Sequence, residues 1–389
     1  MNTSTLTASP AIRARTGAFI LNRRFAINYV STLATIGLAF WIVTDLSNFH
    51  RSFLRAEWTF AAWGVDRTIA IHDVLLGVMA SYAILLVPYY AANPWLRSKP
   101  SIFLRGLWFM LLRQRRVPRA TQSGDRLRLP LAHSLSPLAR QAGLALLLKF
   151  FFAPLMLNWC LGHISDVCAT LLQLFRTADD DMPLRMLFDT SLFWASFQLI
   201  LFVDTLLFTL GYLIEMPRLN NRIRSVDPTF FGWFVCLACY PPFNDFTLRF
   251  LEWQSADSPQ FDSDIVHIAI NVMVLVALAI FSWASIALGW KASNLTNRGI
   301  VMHGPYRYVR HPAYAAKNLA WWLGALPTLG MMLAIGSWQS VAYCLFALCG
   351  WTVLYALRAL TEERHLLMID NGYAQYMKDV RWRFLPGLW

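Results

Sequence analysis

The sequence predicts an all-α fold, a polytopic transmembrane helical bundle of about eight spans with both termini cytoplasmic. Three observations carry that expectation. Of 389 residues, 57% are apolar and 14% charged, against roughly 45–50% and about 25% in soluble domains; too few polar side chains exist to cover a water-soluble globule. The apolar residues gather into runs close to the roughly 20 that a helix needs to cross a bilayer core of about 30 Å. The loops between those runs alternate in charge as the positive-inside rule requires.

The first run, 25–44, follows a polar segment containing Arg13, Arg15, Arg23 and Arg24. No small-residue cleavage site closes a short apolar core there, so it is expected to be retained as a span. Further runs lie at 74–92, 141–161, 189–212, 265–290, 319–336 and 339–360, and a shorter one at 229–243 holds Pro241 and Pro242. From 93 to 140 there are ten basic residues and one acidic, whereas 162–188 has two basic and four acidic. The first of these loops is therefore expected on the cytoplasmic side. Between 214 and 228 three basic residues stand against two acidic, and between 244 and 264 one against five, so the short run 229–243 must cross and completes eight. Arg113, Arg115, Arg116 and Arg119 make the long basic loop a topology determinant drawn to anionic headgroups, or an amphipathic surface helix.

The net charge of +12 belongs to this topology and gives no reason to expect nucleic acid. The cysteines sit mostly inside apolar runs and are expected to be small buried hydrophobes rather than a disulfide framework. Cys236 and Cys239 have CxxC spacing without a second pair or nearby histidines, so no metal is expected. Ionisable residues within spans are costly and become functional candidates. They include His72, Asp73, Lys149, Asp189 and Asp204. Lys149 and Asp204 are expected to pair between neighbouring helices, with a place in substrate entry as the other reading. His267 and Asn271, one turn apart, are candidates to line the same cavity as the C-terminal site.

That site is expected where polar chemistry concentrates. After the run at 265–290 comes KASNLTNRGIVMHGPYRYVRHPAYAAKN, then two apolar runs joined by a very short turn, then TEERHLLMIDNGYAQYMKDVRWRFLPGLW. The two runs are each near one bilayer thickness, so His311 and Glu362 must meet at one membrane level although 51 positions separate them. Arg310, His311, Glu362 and Glu363 thus converge on one pocket. Pro312 suits a first helical turn, which sets Arg310 and His311 beside the positive end of the outgoing helix. Tyr308, Trp321, Trp322, Trp382 and Trp389 are expected to form an interfacial aromatic belt.

At these residues the sequence resembles the isoprenylcysteine carboxyl methyltransferase family and related membrane phospholipid methyltransferases. The shared pattern is GPYRYVRHPAY at 304–314, a hairpin, Glu362 and Glu363, and NGYAQYMKDV followed by RFLPG. It covers roughly residues 265–389, and the chain divides into an N-terminal membrane region, 1–260, and a methyltransferase-like domain, 261–389. The resemblance implies methyl transfer from S-adenosylmethionine to a lipophilic small-molecule or lipidated acceptor, a carboxylate, thiol or amine. Loop charge sets the site at the cytoplasmic face, and without a recognisable targeting peptide a bacterial inner membrane is the simplest expectation. It implies cofactor contacts for Tyr306, Arg310, His311, Pro312, Tyr314, Glu362 and Glu363, with Arg310, His311 and Glu362 catalytic. Ala315 and Ala316 stand where family members usually have glycine, and Leu326-Pro327 lies within the first hairpin helix where many have Asn-Pro between the helices. Two other classes remain open: a reductase similar to the sterol reductases, which would bind a reduced nicotinamide dinucleotide, and a transporter or scaffold that binds lipid headgroups without catalysis.

Overall fold

The computed structural model describes residues 23–62, 65–116, 135–177, 182–369 and 372–387. Arg13, Arg15, Arg119 and Trp389 lie outside the described residues.

Helix α1 (Arg23–Trp41) runs through a π turn into α2 (Asn48–Leu54). An antiparallel hairpin, β1 (Glu57–Ala62) with β2 (Val65–Ala70), pairs Glu57 with Ala70 and leads to α3 (Ile71–Ala92). Then come α4 (Lys99–Arg116), α5 (Pro137–Thr177), the single turn α6 (Leu184–Leu187) and α7 (Phe193–Leu213). A two-residue strand, β3 (Ser225–Val226), precedes α8 (Phe230–Leu237), α9 (Asn244–Phe250) and α10 (Asp264–Leu288). The C-terminal part consists of β4 (Thr296–Asn297), α11 (Pro312–Gly324), α12 (Leu326–Ala334), α13 (Trp338–Leu367) and α14 (Tyr373–Asp379).

Among the described residues, six helical segments are long and apolar enough to cross a membrane, rather than eight. The run 229–243 is not one helix. It stops at Leu237 after eight residues, about 12 Å at roughly 1.5 Å per residue, because Pro241 and Pro242 supply no amide hydrogens to continue the ladder. The run 319–336 is broken at Ala325, where α12 restarts with Pro327 in its first turn. In contrast α5 extends far beyond 141–161 to 41 residues, roughly 60 Å, and so projects past a bilayer core of about 30 Å. The basic stretch does contain a helix, α4, which packs on α5 and α1 and exposes Trp108, Phe109 and Leu111.

A long seam between α5 and α7 carries the main core. Phe152 of α5 stacks on Tyr212 of α7 with ring centroids 5.4 Å apart. The Tyr212 hydroxyl accepts from the Asn294 backbone at 2.8 Å and from its side chain at 3.0 Å, which fixes the segment after α10 against α7. The same segment supplies β4, paired antiparallel with β3 (Ser225 opposite Asn297). Gly211 makes this approach possible, since a Cβ there would stand 2.1 Å from the Ala292 carbonyl oxygen. Gly211→Ala is therefore expected to lower stability by about 1–3 kcal/mol. Gly37→Ala, in α1 with nothing within 4 Å of the new carbon, should be neutral or stabilising; thermal unfolding in detergent compares the two.

Candidate active site

The site is built at the base of a helical hairpin. α11 and α12 lead away from the turn at 304–311, the chain reverses through 335–337, and α13 returns for 30 residues, so that Glu362 and Glu363 lie inside its final turns. Gly304 opens the turn with a φ of 61°, and a Cβ there would stand 2.9 Å from the Ala287 side chain on α10. From the tail, the Tyr376 hydroxyl donates to the Tyr306 carbonyl at 2.6 Å, which holds that turn from the other side.

Glu363 is 4% exposed and gathers three basic side chains. One oxygen accepts from Arg310 Nε at 2.7 Å and lies 3.2 Å from His311 Nε2. The other accepts from Arg383 Nη2 at 2.9 Å. Arg310 donates onward to the carbonyls of Val380 at 2.9 Å and Arg381 at 2.6 Å. The backbone amides of Arg310 and His311 donate to the Trp382 and Arg383 carbonyls, each at 2.9 Å. This ion cluster sews the tail onto the hairpin.

Adjacent residues on a helix point about 100° apart, and Glu362 accordingly faces elsewhere. It lines a cavity of about 390 Å³, within the roughly 300–1,000 Å³ usual for small-molecule sites. Its Oε1 accepts from the Tyr314 hydroxyl, and its Oε2 lies 3.8 Å from His311 Nδ1. The imidazole therefore stands between the two carboxylates, stacked on Tyr314 with 9° between planes. One turn before Glu362 on the same face of α13, the Arg358 guanidinium sits 5.1 Å from the ring centroids of Tyr314 and Tyr355 and 5.6 Å from that of Tyr240. Its Nη2 donates to Asn294 at 3.0 Å, while its Nε has no hydrogen-bond partner among the described residues. Tyr306 also faces the cavity. Burial, then the proximity of Glu362 and Tyr376, pushes its phenol well above the ordinary value, so it remains a hydrogen-bond donor. Toward α5, α7 and α10 the cavity is lined by Met156, Leu201, Phe208 and Phe281. There the Asp204 carboxylate accepts from Ser285, and the Lys317 ammonium lies over Phe281 and Trp321 at 5.3 and 5.6 Å.

Residues 265–368 match the model of the isoprenylcysteine carboxyl methyltransferase family. Comparison with curated proteins finds no match, and comparison with solved structures finds none. The family match begins within α10 and ends one residue beyond α13, so it takes in the 304–314 turn, the hairpin and both glutamates. It leaves out Arg383, α14 and everything before α10.

Measured against the methyltransferase resemblance, Tyr306, Arg310, His311, Tyr314 and Glu362 line the cavity, whereas Pro312 and Glu363 do not. Pro312 starts α11 and Glu363 holds the tail. Arg358, Tyr355 and Lys317 were not singled out, Arg383 entered only as part of the RFLPG pattern and Asp204 only as an ionisable residue within a span; Arg358 carried a signal, being a charge inside an apolar run. The pairing expected between Lys149 and Asp204 is absent: Lys149 contacts Glu215 at 3.0 Å, and Asp204 bonds Ser285. Nor do His267 and Asn271 reach the cavity. They are fully buried near the other end of α10, where His267 Nε2 lies 2.6 Å from Asp189 and Asn271 donates to the Pro259 carbonyl at 2.8 Å. Of the aromatic residues expected in a belt, Trp321 packs edge-on against Trp253 and Tyr355, while Tyr308 is exposed. Among the described residues no group of three histidine, cysteine or acidic side chains is placed to hold a metal ion.

The two glutamates should separate experimentally. Glu363→Gln leaves Arg310 and Arg383 without their shared counter-charge and is expected to cost roughly 3–5 kcal/mol. Glu362→Gln should change the stability of the ligand-free protein by less than about 1.5 kcal/mol. Equal losses in thermal unfolding would refute this division of roles.

Proposed function

We propose that the protein is an integral membrane methyltransferase that takes a methyl group from S-adenosylmethionine and passes it to a lipophilic acceptor. The observation that carries this reading is the coincidence of the family match at 265–368 with the turn and helices lining the mixed-charge, tyrosine-rich cavity.

The residues present fit that donor. S-adenosylmethionine carries a carboxylate, an ammonium, a sulfonium, a ribose diol and an adenine ring. Among the described residues, Arg358 Nε and, also on the cavity wall, Arg298 Nε and Nη2 have no hydrogen-bond partner; both guanidiniums suit the carboxylate. Glu362 suits the ammonium or the diol. The rings of Tyr306, Tyr314 and Tyr355 suit a sulfonium through cation–π attraction, and an adenine by stacking. When bound, the donor supplies an electrophilic methyl on a positively charged sulfur.

What remains for the chain is orientation, exclusion of water and, for some acceptors, a proton acceptor. Tyr314 fixes the Glu362 carboxylate and Glu363 fixes the His311 ring, so neither must reorganise when a ligand arrives. Met156, Leu201 and Phe208 suit the hydrocarbon part of an acceptor entering between helices from the bilayer. A carboxylate or thiolate acceptor asks no proton of the protein. An amine must first lose one, and His311 Nδ1, turned to the cavity, is the group to take it. The loop charges favour this pocket at the cytoplasmic face of its membrane.

Purified protein in detergent, with S-adenosylhomocysteine at about 100 times its dissociation constant, is expected to gain about 2.7 kcal/mol. Glu362→Gln and Arg358→Gln should remove that gain while Gly37→Ala keeps it. Stabilisation by reduced nicotinamide dinucleotide alone would overturn the methyltransferase reading, as would silence from both ligands.

A further inference from the structure

A second and larger cavity, about 740 Å³, lies wholly within the region that the family match does not reach. Its shaft is apolar, formed by Ile36 and Phe40 of α1, Val78 and Leu86 of α3, and Leu146 and Phe150 of α5. Helices α1 and α3 bury only 17% and 11% of their apolar windows within the protein. The shaft is therefore walled by helices whose outer faces meet lipid.

One end of this shaft is charged. Glu215, just past α7, accepts from Lys99 at the start of α4 and from the Ile223 backbone at 3.0 Å; its other oxygen lies 3.0 Å from Lys149 of α5. Burial pushes the Glu215 carboxyl up, but the two ammoniums outweigh it and hold it well below its usual range. Lys99 shows the opposite balance: burial outweighs Glu215 and lowers it to about 8. Two lysines share one carboxylate, which leaves a surplus positive charge in a mostly buried setting. Every other ionisable Lys, Arg, Asp or Glu lining this cavity is an arginine, namely Arg97, Arg222 and Arg224, all exposed. Such a surplus is costly unless an anion joins it.

We infer that this cavity is a binding site for an anionic amphiphile, its phosphate or carboxylate head on the Lys99–Lys149 pair and the neighbouring arginines, its chain in the apolar shaft. The site is separate from the methyl-transfer cavity yet shares a wall with it. Tyr212 and Ser225 face the shaft, and their hydrogen-bond partners Asn294 and His365 face the other side.

The full-length protein in detergent is titrated with phosphatidylglycerol, oleate, inorganic phosphate and phosphatidylcholine, reading the unfolding temperature. Phosphatidylglycerol or oleate should raise it well above the response to phosphatidylcholine. A response to phosphatidylglycerol without oleate assigns a bilayer phospholipid, and the reverse assigns a free fatty acid. Lys149→Met leaves Lys99 and Glu215 as a balanced pair, so it should fold and lose most of the selective shift. Val78→Trp keeps every charge but fills the shaft, and should lose it too. The inference fails if phosphatidylcholine matches phosphatidylglycerol, if inorganic phosphate alone matches the amphiphiles, or if both variants respond like the parent.

Discussion

The Glu363 carboxylate holds the C-terminal half of the molecule in register. A single buried charge of this kind would be prohibitive, but here two guanidiniums and an imidazole close its shell while tail carbonyls take up further donors of Arg310, which is the condition under which a buried ion cluster is tolerated. The cluster joins three separate places: the turn before α11, the end of α13 and the tail after α14. Removing the carboxylate would therefore loosen all three. The orientation of Glu362 follows from it, because a helix whose residue 363 is anchored outward toward the tail must present residue 362 about 100° around its axis.

Much of the hairpin was legible in the sequence because length and turn leave little freedom. Two runs near one bilayer thickness with a short reversal bring 311 and 362 to the same level whatever their packing. The division of labour between the two glutamates was not legible, since the sequence does not say which face of α13 meets the tail, and Arg383 sits in a segment with no periodicity to place it. Arg358 was within reach: a guanidinium inside an apolar run, four residues before Glu362, satisfies the rule that intramembrane charges mark function. The error over Lys149 has a simple cause. Its partner Glu215 lies two residues beyond the end of α7 and looked like an ordinary loop residue, while Asp204 found a hydroxyl instead of a cation.

The sequence division near residue 260 does not mark a boundary of the site. Met156, Asp204, Asp227 and Tyr240 share the same cavity with Tyr306 and Glu362, and Tyr212, before the division, is hydrogen-bonded to Asn294, after it. The unmatched region thus forms one side of the pocket, so the cavity belongs to the helical bundle as well as to the matched hairpin.

The ion cluster also makes the hairpin depend on chain that lies beyond it. Arg383 stands 20 positions after Glu363, and the carbonyls of Val380 and Arg381 hold Arg310. A proteolytic cut between α13 and Arg383 would therefore leave every residue of the hairpin in place and still strip its buried carboxylate of a guanidinium.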